Sequence, residues 1–171
     1  MSHEVQPQSK QQLPPASSGQ DLAPAHGQPL MSQSIPVAEG LQMKARNPGT
    51  VWLLWPLLTL GIYHLVWYYK IHREMAEFDR RRQVPVAGPM LVLLLLGWTF
   101  IAPCVSYYNT GNRIRNAQRA AGLPASCSGG VGLLLMFVFG LGTLYYQSEL
   151  NKVVSVYGDA TPPGARVPLY A

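Results

Sequence analysis

The chain is poor in charge and nearly empty of cysteine. Only 12% of its 171 residues are Asp, Glu, Lys or Arg, and residues 51–69, 89–108 and 130–146 contain none of the four. Runs this apolar exclude an ordinary hydrated surface over those stretches. Cys104 and Cys127 are the two cysteines, with no C-x-x-C or Cys/His ligand spacing around them. That excludes a structural zinc site, and both are expected to remain unpaired thiols near one membrane surface. Residues 1–46 hold no aromatic ring but eight Gln and six Pro. So polar a segment cannot bury enough surface to offset its ordering entropy, and it is expected to be disordered. It also lacks the basic and then apolar pattern of a secretory signal.

Catalytic signatures are missing as well. There is no nucleophile elbow, P-loop or His-Glu-x-x-His, and no pair of carboxylates inside an apolar run. The chain is therefore expected not to be an enzyme and to need neither metal nor cofactor. His64 is the one His, Asp, Glu, Lys or Arg within the three runs. With no acid or second His beside it, hydrogen bonding or helix contact is expected there rather than a proton relay.

What is present is apolar length. At about 1.5 Å per helical residue each run covers roughly 26–30 Å, close to the thickness of a bilayer's hydrocarbon core. In lipid, backbone groups must pair internally, which predicts helices. The expected fold is an all-α integral membrane protein with three transmembrane helices at about 51–69, 89–108 and 130–146. These make a three-span domain over 47–157, with a disordered tail over 1–46 and a flexible one over 158–171.

Asn47 and Pro48 read as a helix start, and Pro56 and Pro103 as kinks. Ile71, Met75 and Phe78 continue the first helix as an amphipathic extension, and Leu150, Val153, Val154 and Tyr157 do the same after the third run. The pairs Tyr68-Tyr69, Tyr107-Tyr108 and Tyr145-Tyr146 read as interfacial anchors.

Two groups of residues stand out as candidate contacts. Arg113, Arg115 and Arg119 lie in a segment, 109–127, without a carboxylate. Unneutralised Arg beside a membrane attracts anionic headgroups by about 1 kcal/mol per residue, so lipid contact is expected there. Gly132 and Gly140 are the candidates for close helix packing.

Cations fall almost evenly on the two sides of a three-span arrangement, so the positive-inside rule hardly decides orientation. A cytoplasmic amino terminus is favoured because translocating the long tail without a signal is demanding.

The stretch from Arg46 onward resembles a bacterial membrane family, domain of unknown function 4234. The likeness is carried by Arg46-Asn47-Pro48, Gly61-Ile62-Tyr63 and Trp67-Tyr68-Tyr69-Lys70, then Gly111-Asn112-Arg113-Ile114 and Ala117-Gln118. Tyr145-Tyr146-Gln147 and Leu150-Asn151 complete it, giving a span of roughly 44–157. The resemblance implies a multi-pass protein of the bacterial plasma membrane and supplies no functional residues. Two functions stay open: a non-catalytic membrane scaffold or regulatory module, and an oligomeric small transporter or pore component. Membrane lipids, including anionic ones, other membrane proteins and further copies of the chain are the expected partners; nucleic acid is not.

Overall fold

The computed structural model describes residues 35–158 and 160–170. Its elements, in chain order, are strand β1 (Ala38–Leu41), a π-helical turn (Thr50–Leu54), and helices α1 (Trp55–Leu58), α2 (Ile62–Phe78) and α3 (Ala87–Leu96). A 3₁₀ turn (Gly97–Thr99) follows, then α4 (Ile101–Ala120), α5 (Gly129–Phe137), α6 (Leu141–Val156) and strand β2 (Arg166–Leu169). Among the described residues no helix is long and apolar enough to cross a membrane. The three expected transmembrane helices, and the multi-pass topology built on them, are corrected by that finding.

The physical reason lies in the middle of each run. The backbone takes positive φ at Leu60 and Gly61, at Phe100, and at Phe139 and Gly140. Gly61 and Gly140 tolerate that conformation because they lack a Cβ, and each stands immediately before a new helix. Local side chains take over helix-end groups at the first two breaks. Thr59 Oγ1 donates to the Trp55 carbonyl at 2.8 Å and accepts the Tyr63 N–H at 2.9 Å. Thr99 Oγ1 donates to the Leu96 carbonyl at 2.7 Å.

Each run thereby doubles back as a hairpin. Arg46 pairs with Glu74 and Trp55 stacks on Tyr63 at 5.7 Å across the first. Pro89 and Asn109 line one hollow of the second. The Ser128 N–H donates to Tyr145 Oη at 2.9 Å across the third. The returning helices α2, α4 and α6 then pack with the same direction. Tyr68 Oη meets Ser106 and Thr110 of α4 at 3.0 and 2.6 Å. Trp67 Nε1 donates to Gln147 Oε1 of α6 at 2.8 Å. The core follows helical spacing: Trp67, Ile71, Met75 and Phe78 from α2, Tyr107 and Ile114 from α4, Tyr146, Leu150 and Val153 from α6. Helix α2 does run on past Lys70, but its apolar face meets other helices rather than headgroups.

The prolines act differently from the expected kinks. Pro56 is the second residue of the single turn α1, three residues before Thr59 where the chain reverses, and Pro103 lies in the first turn of α4, where no backbone donor is needed. Asn47 caps as expected: its Oδ1 accepts the Gly49 and Thr50 N–H groups at 2.9 and 3.3 Å.

The tails also need correction. Residues 38–41 and 166–169, expected to be disordered and flexible, pair as an antiparallel two-stranded sheet, Ala38 opposite Leu169 and Leu41 opposite Arg166. This sheet covers the far ends of the returning helices. The Tyr170 N–H donates to the Ala120 carbonyl at 2.7 Å, and Gln42 Nε2 to the Val154 carbonyl at 3.0 Å. Helix C-terminal carbonyls have no partner within their own helix, so the strands gain from satisfying them. The rest of the expected amino-terminal disorder, residues 1–34, lies outside the described residues.

Candidate functional site

The three turns sit together at one end of the molecule. Phe100 stacks near Phe137 with ring centroids 6.2 Å apart, and Trp52 Nε1 donates to the Phe139 carbonyl at 2.9 Å. At the apex of each hairpin a large apolar residue is held at positive φ and faces outward: Leu60 is 95% exposed, Phe100 68% and Phe139 90%. Leu57, Leu58, Leu94, Leu95, Trp98, Ile101 and Leu134 extend the same apolar surface. Bulky side chains at positive φ cost about 1–3 kcal/mol each. An exposed apolar patch of this breadth marks a surface that meets something other than water.

The patch has a limited depth. From Leu60 to Lys70 on α2, and from Phe139 to Glu149 on α6, no charged residue occurs. Each interval is about 15 Å along the helix, and Phe100 to Arg113 on α4 is about 20 Å. Every Lys and Arg from Lys44 to Arg166 lies at or beyond that level, the sheet among them.

The tyrosine pairs straddle the same level, yet one ring of each pair is buried. Tyr68, Tyr107 and Tyr146 are buried in the core, while Tyr108 is exposed, Tyr69 is half-buried, and Tyr145 is half-buried against the core. Neighbouring residues on a helix point about 100° apart, so one ring packs inward while the other reaches the surface. The inward ring of each pair, Tyr68, Tyr107 and Tyr146, is a core residue, which corrects the interfacial-anchor reading for those three.

Beneath the patch lies a polar core of which the sequence announced only the hydrogen bonding of His64. Tyr107 Oη and His64 Nε2 share a hydrogen bond, Thr143 Oγ1 lies 3.5 Å from His64 Nδ1, and Tyr146 Oη donates to the Tyr107 carbonyl at 2.7 Å. Farther from the tips, Gln147 Nε2 donates to Asn151 Oδ1 at 2.9 Å, and Asn151 Nδ2 to the Arg46 carbonyl at 2.6 Å. Gln118 Nε2 and Ser126 Oγ each donate to Glu149 Oε2 at 2.6 Å, and Lys152 Nζ reaches Oε1 at 2.6 Å. Burial pushes the Glu149 carboxyl up, but these donors outweigh it and hold its pKa below the usual value. The signal available in the sequence was Gln118, Gln147 and Asn151 recurring on otherwise apolar faces. Among the described residues one buried side-chain atom, Gln42 Oε1, lacks a partner, so these networks are closed.

The three candidate arginines do not form a common face. Arg113 is half-buried and donates from Nη1 to His72 Nε2 at 2.8 Å. Arg115 Nε donates to the Cys127 carbonyl at 2.8 Å, tying down the loop before α5. Arg119 is exposed. The thiols are also separated. Cys104 stands in the first turn of α4, near the tips, and Cys127 is buried beside the distal part of that helix, where its N–H donates to Gln118 Oε1 at 2.9 Å. The turn at Gly97–Thr99 causes this by sending α4 away from the tips. Burial, with Glu149 adding to it, pushes the Cys127 thiol up to about 12 and leaves it unreactive.

Gly132 and Gly140 also part company. Gly140 is the positive-φ turn residue before α6, so its role is the reversal. Gly132 does allow close approach, because a Cβ there would lie 2.1 Å from the Tyr146 ring. The Gly132→Ala variant is expected to lose about 1–3 kcal/mol of stability through overpacking. Thermal unfolding in mild detergent measures it, and an unchanged midpoint would contradict the close contact.

His72 carries a pH dependence. It is fully buried, its Nδ1–H donates to the Tyr68 carbonyl at 2.7 Å, and Nε2 faces Arg113. Burial first, and Arg113 after it, push its pKa down to about 4, although the Tyr68 carbonyl works the other way. The folded value lies below the unfolded 6.5, so the unfolded chain takes up the proton first. Stability is expected to be full above pH 6.5 and to fall between 6.5 and 4, by about 3 kcal/mol. Unfolding midpoints measured across that window should drop for the native chain and drop less for His72→Gln; equal drops would contradict the assignment.

In class, then, this is a bundle of three helical hairpins whose turns form one apolar end and whose termini meet at a charged one. Residues 47–116 match the family model described as Domain of unknown function (DUF4234). No curated protein and no solved structure matches the chain. The matched residues cover the first two hairpins as far as Asn116 and stop short of the third, so the resemblance is shown over a shorter stretch than its motifs suggested. Several motif residues have structural tasks: Asn47 caps a helix, Arg46 pairs with Glu74, and Trp67 and Gln118 hold α6. Among the described residues no cluster of metal-binding side chains occurs.

Proposed function

We propose that the protein is a non-catalytic membrane scaffold whose three hairpin turns dip into one leaflet of a bilayer and stop near its midplane. The charged end, with the β1–β2 sheet, then stands in the aqueous phase as a surface for other proteins. The observation that supports this most is the depth of the apolar end. Its 15–20 Å matches half of a hydrocarbon core about 30 Å thick, and the first charges begin where headgroups would lie.

Because all three hairpins enter and leave at one side, every Lys and Arg from Lys44 to Arg166 belongs to that side. The positive-inside rule, indecisive for a three-span chain, then favours the cytoplasmic leaflet. A transporter or pore has less support. The polar groups beneath the tips, on His64, Tyr107 and Thr143, are engaged with one another, and the Thr59 and Thr99 hydroxyls at the turns are bonded to backbone carbonyls.

Alkaline carbonate washing of membranes, followed by flotation, tests the reading. The chain is expected to float with the lipid after the wash. Recovery in the supernatant would refute insertion.

A further inference from the structure

A cavity of about 410 Å³ runs inward from the apolar end between the second and third hairpins. Gly97, Phe100 and Phe137 stand at its mouth, Leu93 and Met136 along its walls, and Tyr107 beside His64 at its inner end. The volume falls within the range of small-molecule sites. An empty apolar hollow of that size leaves its lining without dispersion partners on one side.

We infer that this cavity holds a single hydrocarbon chain of a lipid. The inference rests on the membrane reading above, because the mouth lies among the residues that reading puts in the leaflet.

The chemistry of the lining selects the ligand. The two polar residues at the inner end are engaged within the protein: His64 Nε2 is bonded to Tyr107 Oη, and His64 Nδ1 lies 3.5 Å from Thr143 Oγ1, leaving few sites for a polar guest. A sugar, nucleotide or ion would lose its hydration there with few replacement bonds. A saturated or monounsaturated chain loses nothing, and lies within reach once the tips are in lipid. The gap is also open to filling from the protein side. Gly97 lines the cavity, has an ordinary helical backbone and has nothing within 4 Å of an added Cβ, so a larger side chain is accommodated there without displacing backbone.

Photo-crosslinking in lipid nanodiscs tests the assignment. One arm carries a phospholipid with a diazirine near the end of one acyl chain, the other a free fatty acid bearing the same group. Peptide mapping is expected to find Leu93, Cys104 and Met136 labelled at least fivefold more than Leu57 and Leu94, which are outward-facing. Gly97→Leu should cut labelling of the first set at least fivefold and leave the second unchanged. Retained protection of the buried Cys127 thiol from alkylation verifies that the variant is folded; Leu133→Phe, at another lining residue outside the labelled set, serves if it is not.

Labelling from the phospholipid identifies a bilayer chain, and labelling from the acid alone identifies a free fatty acid; either supports the site. Equal labelling of the two sets, or a pattern indifferent to both filling variants, overturns it. Flotation of the native chain is scored separately, so loss of the cavity site and loss of membrane insertion give different results.

Discussion

Replacing the three apices together, Leu60→Asp, Phe100→Asp and Phe139→Asp, is expected to detach the protein from lipid while leaving it folded. Each apolar side chain contributes about 1.5–3 kcal/mol when it leaves water. Each carboxylate near the bilayer centre costs a further 2.5–3.5 kcal/mol or so on insertion scales. Even with partial protonation, the sum across three tips exceeds the roughly 2.7 kcal/mol that lowers partitioning a hundredfold. Folding should be spared for two reasons. The native side chains are exposed, so little packing is lost. Asp is also among the residues that accept positive φ, which Leu60 and Phe139 adopt, while Phe100, at φ 63° and ψ −43°, is as constrained for Asp as for Phe. Vesicle co-flotation and circular dichroism together give the answer. A variant that keeps its helical spectrum and still floats at native levels would mean that the tips are not the anchor.

The second expected result concerns sidedness. Cysteines introduced at Glu39, Gln83 and Ala125, in a chain whose native Cys104 and Cys127 are replaced by Ala, should all react with a membrane-impermeant maleimide from one side. All three positions are exposed and lie at the charged end. Inside-out vesicles should be labelled at every position and intact spheroplasts at none, a contrast expected to exceed tenfold. A three-span chain would behave differently, with Gln83 and Ala125 on opposite faces. Split labelling of that kind is the outcome that would defeat the one-leaflet arrangement.

The sequence made the apolar runs, their helical character and the amphipathic continuation of α2 readable from composition and spacing. It concealed the reversals, because hydropathy stays high through Leu58-Thr59-Leu60 and Phe137-Val138-Phe139 and reports no change of direction. Gly61, Gly97 and Gly140 were the available signal, one glycine at or beside each turn. A lone glycine in an apolar run is equally a packing residue, and Gly140 was read that way.

The sheet was hidden for another reason. Strands of four residues, separated by more than 120 positions, leave no local pattern, and their pairing depends on helix ends that exist only after folding. The Tyr–His and Gln–Glu networks join three hairpins and were invisible for the same cause, although the residues themselves were noticed as motifs.

The pairing of β1 with β2 has a mechanical consequence. Residues before Ala38 and after Leu169 leave the ribbon from the same end, because those two positions face each other. Tension applied through the two chain ends therefore loads the ladder one rung at a time, as a zipper, rather than shearing all its bonds together. With the hairpin turns held in lipid, the clasp would part before the helices. Its release would bare the Ala120 carbonyl that Tyr170 now covers and strip the second donor, Gln42, from the Val154 carbonyl, turning a pull on the ends into a newly uncovered acceptor.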